Sequence, residues 1–320
     1  MHIYTKKTLV ALLSLFILSS CEKDEKGTNV DITANPPRLV VLGEFNEENE
    51  ALINLSTSVF SASLKAFPDV EDAQVSLFDQ NNNLIEKYTY KGKGNYTGKK
   101  AIAGQSYRLS VNYKGETYRA QTTVPTAFKL NLINQDSSSL EAEIADLSQL
   151  SNTYTFEIIA TPYSIERYYF ENDKKIMVNS ESDFIEILKR NPALELKRDT
   201  TFSTKFSRVY IGTDDSRTEN VRYNVLKDHS GRIFLTDKTF NGNKTTLAIY
   251  FNEASLKLEN TQFTLLVKST DPVYFNYLYS ADLQAAKSLA GILDVPIKGN
   301  IENALGIWGG AYVQRIIIKK

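Results

Sequence analysis

Few side chains in this chain could do chemistry, and their types and spacing limit what that chemistry could be. Cys21 is the only cysteine among 320 residues, and His2 and His229 are the only histidines. That inventory excludes thiol catalysis within the folded body, Cys-rich zinc sites, the two-histidine zinc helix and any multi-histidine cluster. A Ser-His-Asp arrangement would have to use His229 alone as its base. His229 lies in Asp228-His229-Ser230-Gly231, between the apolar segments 223–225 and 233–235. Asp, Ser and Gly are turn residues, so this histidine reads as part of a hairpin turn.

Carboxylates are the remaining candidates. Asp214, Asp215 and Glu219 could in principle supply two acids for glycoside hydrolysis. Gly212-Thr213-Asp214-Asp215-Ser216 reads first as a polar loop, however, and no motif gives these acids a catalytic setting. Asp79, Asn81 and Asn83 alternate like the first ligands of a calcium loop. The sixth position is Leu84 rather than Gly and the closing acid is missing, so the segment reads as a turn. No catalytic residue, metal site or cofactor is expected.

The chemistry that is expected sits at the N-terminus. Lys6 and Lys7 precede an unbroken apolar run over residues 9–18, then small residues lead to Cys21. This is the layout of a secretory signal, and the run falls short of the ~20 residues that a membrane span needs. The ending Leu18-Ser19-Ser20-Cys21 resembles the lipobox of bacterial lipoproteins, which implies removal of residues 1–20 and acylation of Cys21. Acylation also explains why an exported chain has one unpaired cysteine. Buried acyl chains contribute about 0.8 kcal/mol per methylene, so two or more anchor a protein without a membrane span. Lys23, Asp24 and Glu25 follow, and Cys-x-Lys-acid-acid resembles the signal that Bacteroidota place on lipoproteins bound for the outer leaflet. Surface display is the expectation.

Processing at Cys21 removes Lys6 and Lys7 but no acids, leaving 35 basic against 38 acidic residues and a net charge of −3. The basic residues are interspersed with acids and form no stripe, which gives no support for nucleic-acid binding. An apolar content of 42% supports a folded chain. About 300 residues exceed one comfortable core, so two domains are expected.

The elements that must position any site are mostly strands. Residues 21–37 read as anchor and tether, ending in Pro36-Pro37. Strands follow at 39–43 and 51–56, then at 73–77 and from 84 across the Asx-rich turn. Tyr107, Leu109, Val111 and Tyr113 alternate with polar residues, and after Lys114-Gly115 so do Tyr118, Ala120, Thr122 and Val124. Strict alternation with regular turns predicts an immunoglobulin-like β-sandwich over 38–125.

Beyond Pro125, a second β-rich domain is expected over 126–320. Its strands fall at 128–133, 140–144, 153–161, 168–170, 176–178, 208–211, 221–225, 232–235, 245–251 and 262–269. A short helix is expected at 184–190, capped by Ser182 or Asp183. One longer helix is expected near 271–290, with Asp271 as N-cap, Pro272 at the first turn and Gly291 placed to stop it. Its stripe of Tyr274, Leu278, Ala281, Ala285 and Leu289 suits packing on a sheet better than presenting a ligand platform.

Several strings together resemble a known family. They are Arg38-Leu39-Val40-Val41-Leu42-Gly43, Val70-Glu71-Asp72-Ala73-Gln74-Val75, Gly94-Asn95-Tyr96 and Gly104-Gln105-Ser106-Tyr107-Arg108-Leu109. In the second half they are Leu235-Thr236-Asp237-Lys238-Thr239-Phe240-Asn241-Gly242, then Asp271-Pro272 with Tyr274 and Tyr277, and the closing 300–310 segment with Asn300 and Gly306. With the lipobox, their order resembles the Bacteroidota outer-membrane lipoproteins grouped as domain of unknown function 4249. The chain departs from that pattern at Ala304, where Gly is commoner, and at Trp308, where Phe is commoner.

The resemblance implies an accessory lipoprotein, often encoded beside a TonB-dependent receptor β-barrel, and it supplies no catalytic residues. Asp237 would either ligate a cation or cap the turn ahead of Phe240-Asn241-Gly242, and capping is favoured because Asn-Gly is a turn signal. Two non-enzymatic functions compete. One is a subunit that docks on, or delivers ligand to, an outer-membrane receptor. The other is an independent adhesin or glycan-binding lipoprotein presenting some of its 18 Tyr on an exposed face. Asp199-Thr200-Thr201 also resembles a Bacteroidota O-glycosylation acceptor.

Overall fold

Alternating residues become strands with one dry face, and β7 (Ser106–Tyr113) shows why. Tyr107, Leu109 and Val111 are buried while the residues between them reach solvent. Lys114 and Gly115, both at positive φ, turn the chain into β8 (Glu116–Thr123), which pairs with β7 over its whole length. The structure is a computed structural model that describes residues 36–59, 66–219, 231–289 and 296–319. Cys21, Lys23, Asp24, Glu25, His229, the strand expected at 221–225 and the stop at Gly291 lie outside the described residues.

The described chain is mainly β, in sandwich-like sheets. β1 (Leu39–Asn46), β2 (Ala51–Thr57), β5 (Thr89–Gly92) and β6 (Asn95–Gly98) form one end of the largest sheet. They face a four-stranded sheet ordered β4-β3-β7-β8, in which β3 is Gln74–Asp79 and β4 is Leu84–Lys87. Between the two layers lies a core of Val41, Phe45, Ile53, Leu55, Leu77, Leu109 and Trp308.

The other end of the largest sheet is built on β11 (Thr153–Glu171), which pairs with β18 (Thr261–Thr270), β16 (Ile233–Thr236) and β14 (Ser207–Val209). Its inner face packs on a sheet ordered β15-β17-β10-β9, comprising β9 (Lys129–Gln135), β10 (Ser139–Ala145), β15 (Ile211–Gly212) and β17 (Lys244–Phe251). Beyond Pro162, β11 runs on alone with β12 (Lys174–Val178) and β13 (Lys197–Phe202) as a lobe. This lobe has its own small core of Tyr169, Val178 and Phe184.

Alternation assigns no strand to residues 305–318, yet they form β19 (Leu305–Ile318), the element that joins the two ends. Its first half runs parallel to β1, from Val40↔Leu305 to Asn46↔Ala311. Its second half runs antiparallel to β18, from Thr270↔Ala311 to Phe263↔Ile318. Where β1 ends, Glu47 takes over by accepting a hydrogen bond from the Val313 amide at 2.9 Å. Gly306, Gly309 and Gly310 hide the strand, because they remove the side chains that alternation is read from.

Both expected helices are present. The short one, α1 (Glu181–Leu188), begins earlier than expected, because Ser180 rather than Ser182 or Asp183 is its cap and accepts from the Asp183 amide at 3.1 Å. The longer one, α2 (Pro272–Leu289), starts as the sequence predicts, with the Asp271 carboxylate accepting from the amides of Val273 and Tyr274 at 2.9 Å. It lies on the face of the large sheet opposite the four-stranded layer, against Ile159, Leu266, Ile307, Ala311 and Val313.

Candidate functional site

The turn from β16 into β17 carries the string from Asp237 to Gly242, and these residues converge on one neighbour, the 146–152 loop after β10. Asp237 is buried, and its carboxylate accepts from the Asn152 amide at 2.6 Å and more weakly from the Ser151 hydroxyl at 3.4 Å. Its side chain therefore holds the neighbouring loop rather than capping its own turn, which closes through the Asp237 carbonyl and the Phe240 amide. Asn241 donates its side-chain amide to the Gln149 carbonyl, and the Gly242 amide donates to Asp146. Gly242 sits at φ +70°, with the Gln149 amide where a β-carbon would be. Phe240 points inward beside Tyr154.

The loop answers from its own side. Asp146 accepts from the Ser148 amide and from the Asn152 side chain, Ser148 accepts from the Leu150 amide, and Asn152 donates to the Leu150 carbonyl. Burial, with Asp146 facing it, pushes the Asp237 carboxyl above its ordinary value despite the Asn152 amide. Burial and the same two carboxylates push the Tyr154 phenol up strongly. Among the described residues no group of three or more His, Cys, Asp or Glu could hold a metal ion.

The closing segment is also a brace. The Asn300 side chain accepts from the Trp308 amide at 3.0 Å and donates to the Trp308 carbonyl at 2.8 Å and to the Gln121 carbonyl at 3.1 Å. Gly306 stands at φ +104°, and a β-carbon there would lie 1.9 Å from the Val41 carbonyl oxygen. Both departures from the family-like pattern fit. The positive φ falls on Asn303 and Gly306, leaving Ala304 unstrained, and Trp308 is fully buried and stacks on Phe45 at 5.4 Å. Among the described residues its indole nitrogen has no partner.

A cluster that sequence reading missed lies beneath α2. Glu44 of β1 meets Lys268 of β18 at 2.5 Å and the Tyr274 hydroxyl at 2.7 Å. Glu157 of β11 meets Arg232 at 3.0 Å and also Arg208, and Arg232 reaches Asp282 of α2 at 2.9 Å. Burial pushes Glu44 and Glu157 up, but Lys268 for the first, and Arg232, Lys268 and Arg208 for the second, hold both below the ordinary carboxylate value. Burial wins at Asp282, whose carboxyl is raised despite Arg232. Every link joins segments far apart in sequence, so no local spacing could have announced the cluster.

The other candidates are dispersed. Asp79 caps its turn by accepting from the amides of Asn81 and Asn83. Asp215 is engaged by Arg217, which holds its carboxyl low, and Asp214 accepts from the Tyr250 hydroxyl at 3.5 Å. Asp199, Thr200 and Thr201 lie exposed on β13.

These sites define a chain of sandwich-like sheets whose motif residues brace loops and strand junctions. The family model described as Domain of unknown function (DUF4249) matches residues 25–317, and the chain belongs to that family. No curated protein matches it in sequence. Among solved structures, it is similar to the crystal structure of a mutant Salmonella alpha-2-macroglobulin at 9% identity and a TM-score of 0.21. That match covers 74% of this chain and 14% of the other.

Proposed function

We propose that this protein is a surface-exposed, lipid-anchored protein of a Bacteroidota-type outer membrane, acting as a non-enzymatic binding or accessory subunit of a TonB-dependent transport system. The observation that carries the reading is Leu18-Ser19-Ser20-Cys21 followed by Lys23-Asp24-Glu25. It gives one cysteine a role as anchor and the next residues a role as address. Family membership supports it, through the receptor-associated lipoproteins that the sequence resembles.

Three measurements test it. Cys21→Ala should abolish labelling with radioactive palmitate and release the chain from membranes. Replacing Lys23, Asp24 and Glu25 by Ala should protect the protein from protease added to intact cells, and a wild type already protected would sink the display step. Mild-detergent affinity purification of the tagged chain should bring down a β-barrel receptor, and recovery of the chain alone would sink the subunit reading.

A second reading, an independent adhesin or glycan-binding lipoprotein, is favoured by one face of the β11–β13 lobe. There Tyr168, Phe170 and Met177 lie outward with Lys175 over the Tyr168 ring at 3.9 Å. A glycan array and a cell-adhesion assay without signal would set it aside.

A further inference from the structure

Two carboxyl groups meet at one end of the sandwich built on β11. The 146–152 loop carries the chain from β10 to β11, and the turn from Asp237 to Asn243 carries it from β16 to β17, so both segments cross between the two sheets. Asp146 and Asp237 stand where these crossings touch, at 3% and 1% exposure. They share Asn152, whose backbone amide donates to Asp237 Oδ2 at 2.6 Å and whose side chain donates to Asp146 at 3.3 Å. The two carboxyls also lie within hydrogen-bonding reach of each other.

Ionised carboxylates are acceptors only, so this contact is a hydrogen bond only if one of the two carries a proton. Burial favours the same state, because like charges set side by side in a dry site do not both ionise. The surroundings offer no cation in relief. Arg217 stands over the Phe240 ring at 5.9 Å with its charge taken by Asp215, Lys244 is paired with Glu143, and Lys129 and Lys238 are exposed. Tyr154 of β11 faces Asp146 as a neutral phenol. Asp146 already accepts from the Ser148 amide, the Asn152 side chain and the Gly242 amide, which makes it the acceptor of the pair. Asp237 Oδ1 has only the Ser151 hydroxyl at 3.4 Å, which leaves it to carry the proton.

We propose that Asp237 donates a shared proton to Asp146, and that this proton latches the two crossings into a pH-operated clasp. The clasp lies outside the proposed function and holds with or without an anchor. Its sign follows from the environment. Burial, opposed by the Asn152 amide and reinforced by Asp146, raises the Asp237 carboxyl, whereas in an opened loop it returns to about 3.9. The latch is therefore complete below that value and is lost as pH rises through the folded one. The proton then leaves to solvent, the two carboxylates repel, and the 146–152 loop opens more readily.

The test is hydrogen exchange over residues 146–152, read by mass spectrometry on the full-length protein in mild detergent. Wild type, Asp237→Asn and Asp237→Ala are compared from about pH 4.5 to about pH 8, across the range where the latch is lost. Asparagine has the shape of a protonated aspartate: it can donate to Asp146 and accept from the Asn152 amide, and it cannot titrate. Dividing the wild-type rate by that of Asp237→Asn cancels the intrinsic pH dependence of exchange. The ratio should rise by up to ~10-fold per pH unit until Asp237 is ionised in the folded state, then level off. Asp237→Ala should exchange fast throughout. A carbon-13 titration of the aspartate carboxyls should show Asp237 titrating above about 3.9 in wild type. A flat ratio, or an Asp237 carboxyl titrating at or below the ordinary aspartate value, overturns the proposal. So does loss of protection on adding EDTA at constant pH, which would put a metal ion where the proton is placed. If Asp237→Asn does not fold, the carbon-13 titration of the wild type decides by itself.

Discussion

Arg232→Met is the sharpest probe of the buried ion cluster. Arg232 and Glu157 are each 4% exposed, and Arg232 bonds both Glu157 at 3.0 Å and Asp282 at 2.9 Å. Methionine fills similar space but leaves Asp282 without this cation inside the fold. Removing one partner of a buried pair costs about 3–5 kcal/mol, and the lower end applies because Glu157 keeps Arg208 and Lys268. At roughly 2–4 °C per kcal/mol for a chain of this size, the melting temperature should fall by about 6–12 °C at pH 7.

The pH dependence follows from the carboxyl shifts. Glu157 is held below its unfolded value in the wild type, so its contribution is present at neutral pH and is lost as pH falls through its folded pKa. Asp282 is raised, so its charged form opposes folding above its folded pKa, and acid relieves that cost. The variant pushes both carboxyls upward. The gap between wild type and variant is therefore widest at pH 7 and narrows as pH falls through the variant's raised carboxyl values towards those of the wild type. Urea or thermal melts from pH 7 to pH 4 measure it, and adding Asp282→Leu should restore part of the loss. A melting temperature within 2 °C of wild type at pH 7, or a gap that ignores pH, refutes the reasoning.

Four other outcomes are expected. Gly306→Ala should cost about 3 kcal/mol or more, read as a lowered urea midpoint, since the methyl meets the Val41 carbonyl at a φ that disfavours alanine. Asp237→Ala should cost about 1–3 kcal/mol by stranding the Asn152 amide, and should speed limited proteolysis within 147–151. Trp308→Phe should cost under ~1.5 kcal/mol in thermal melts against about 3–5 for Trp308→Ala, because phenylalanine keeps the stack on Phe45 and removes a buried N–H that has no partner. Tyr274→Phe should cost about 1.5–3 kcal/mol by withdrawing the hydroxyl from Glu44. Because Glu44 would then be less depressed, acid melts should show less of its loss at low pH.

What could be read from the sequence was whatever the chain writes locally. β7 and β8 were plain because each buries one face, so polarity flips at every residue. The start of α2 was plain because Asp271 and Pro272 are chemically suited to one place on a helix. β19 was not, because three glycines interrupt its pattern and because its partners, β1 and β18, are chosen by residues more than two hundred and about fifty positions away. Asp237 reads in sequence as a turn cap, but its side chain holds Asn152, and nothing between positions 152 and 237 announces that contact.

The ion cluster solves a problem that hydrophobic patterning creates. β18 is buried on both faces over Phe263, Thr264, Leu265, Leu266 and Val267, so alternation says little about which residue should face which layer. A strand of that kind can slip by one residue at small hydrophobic cost, and a slip moves every side chain to the opposite face. Lys268 removes the ambiguity. In the observed register it lies on the α2 side with Glu44 at 2.5 Å and Glu157 nearby. Shifted by one, it would enter the layer that Phe156, Val267 and Leu235 share, on the face away from Glu44. The energy of a buried pair need not exceed that of an apolar substitute for this to matter, because what the pair contributes is the difference between right and wrong registers. Glu44 extends the same constraint to β1, and Asp282, through Arg232, extends it to α2. One alternating set of charges thereby ties β1, β11, β18 and α2 together.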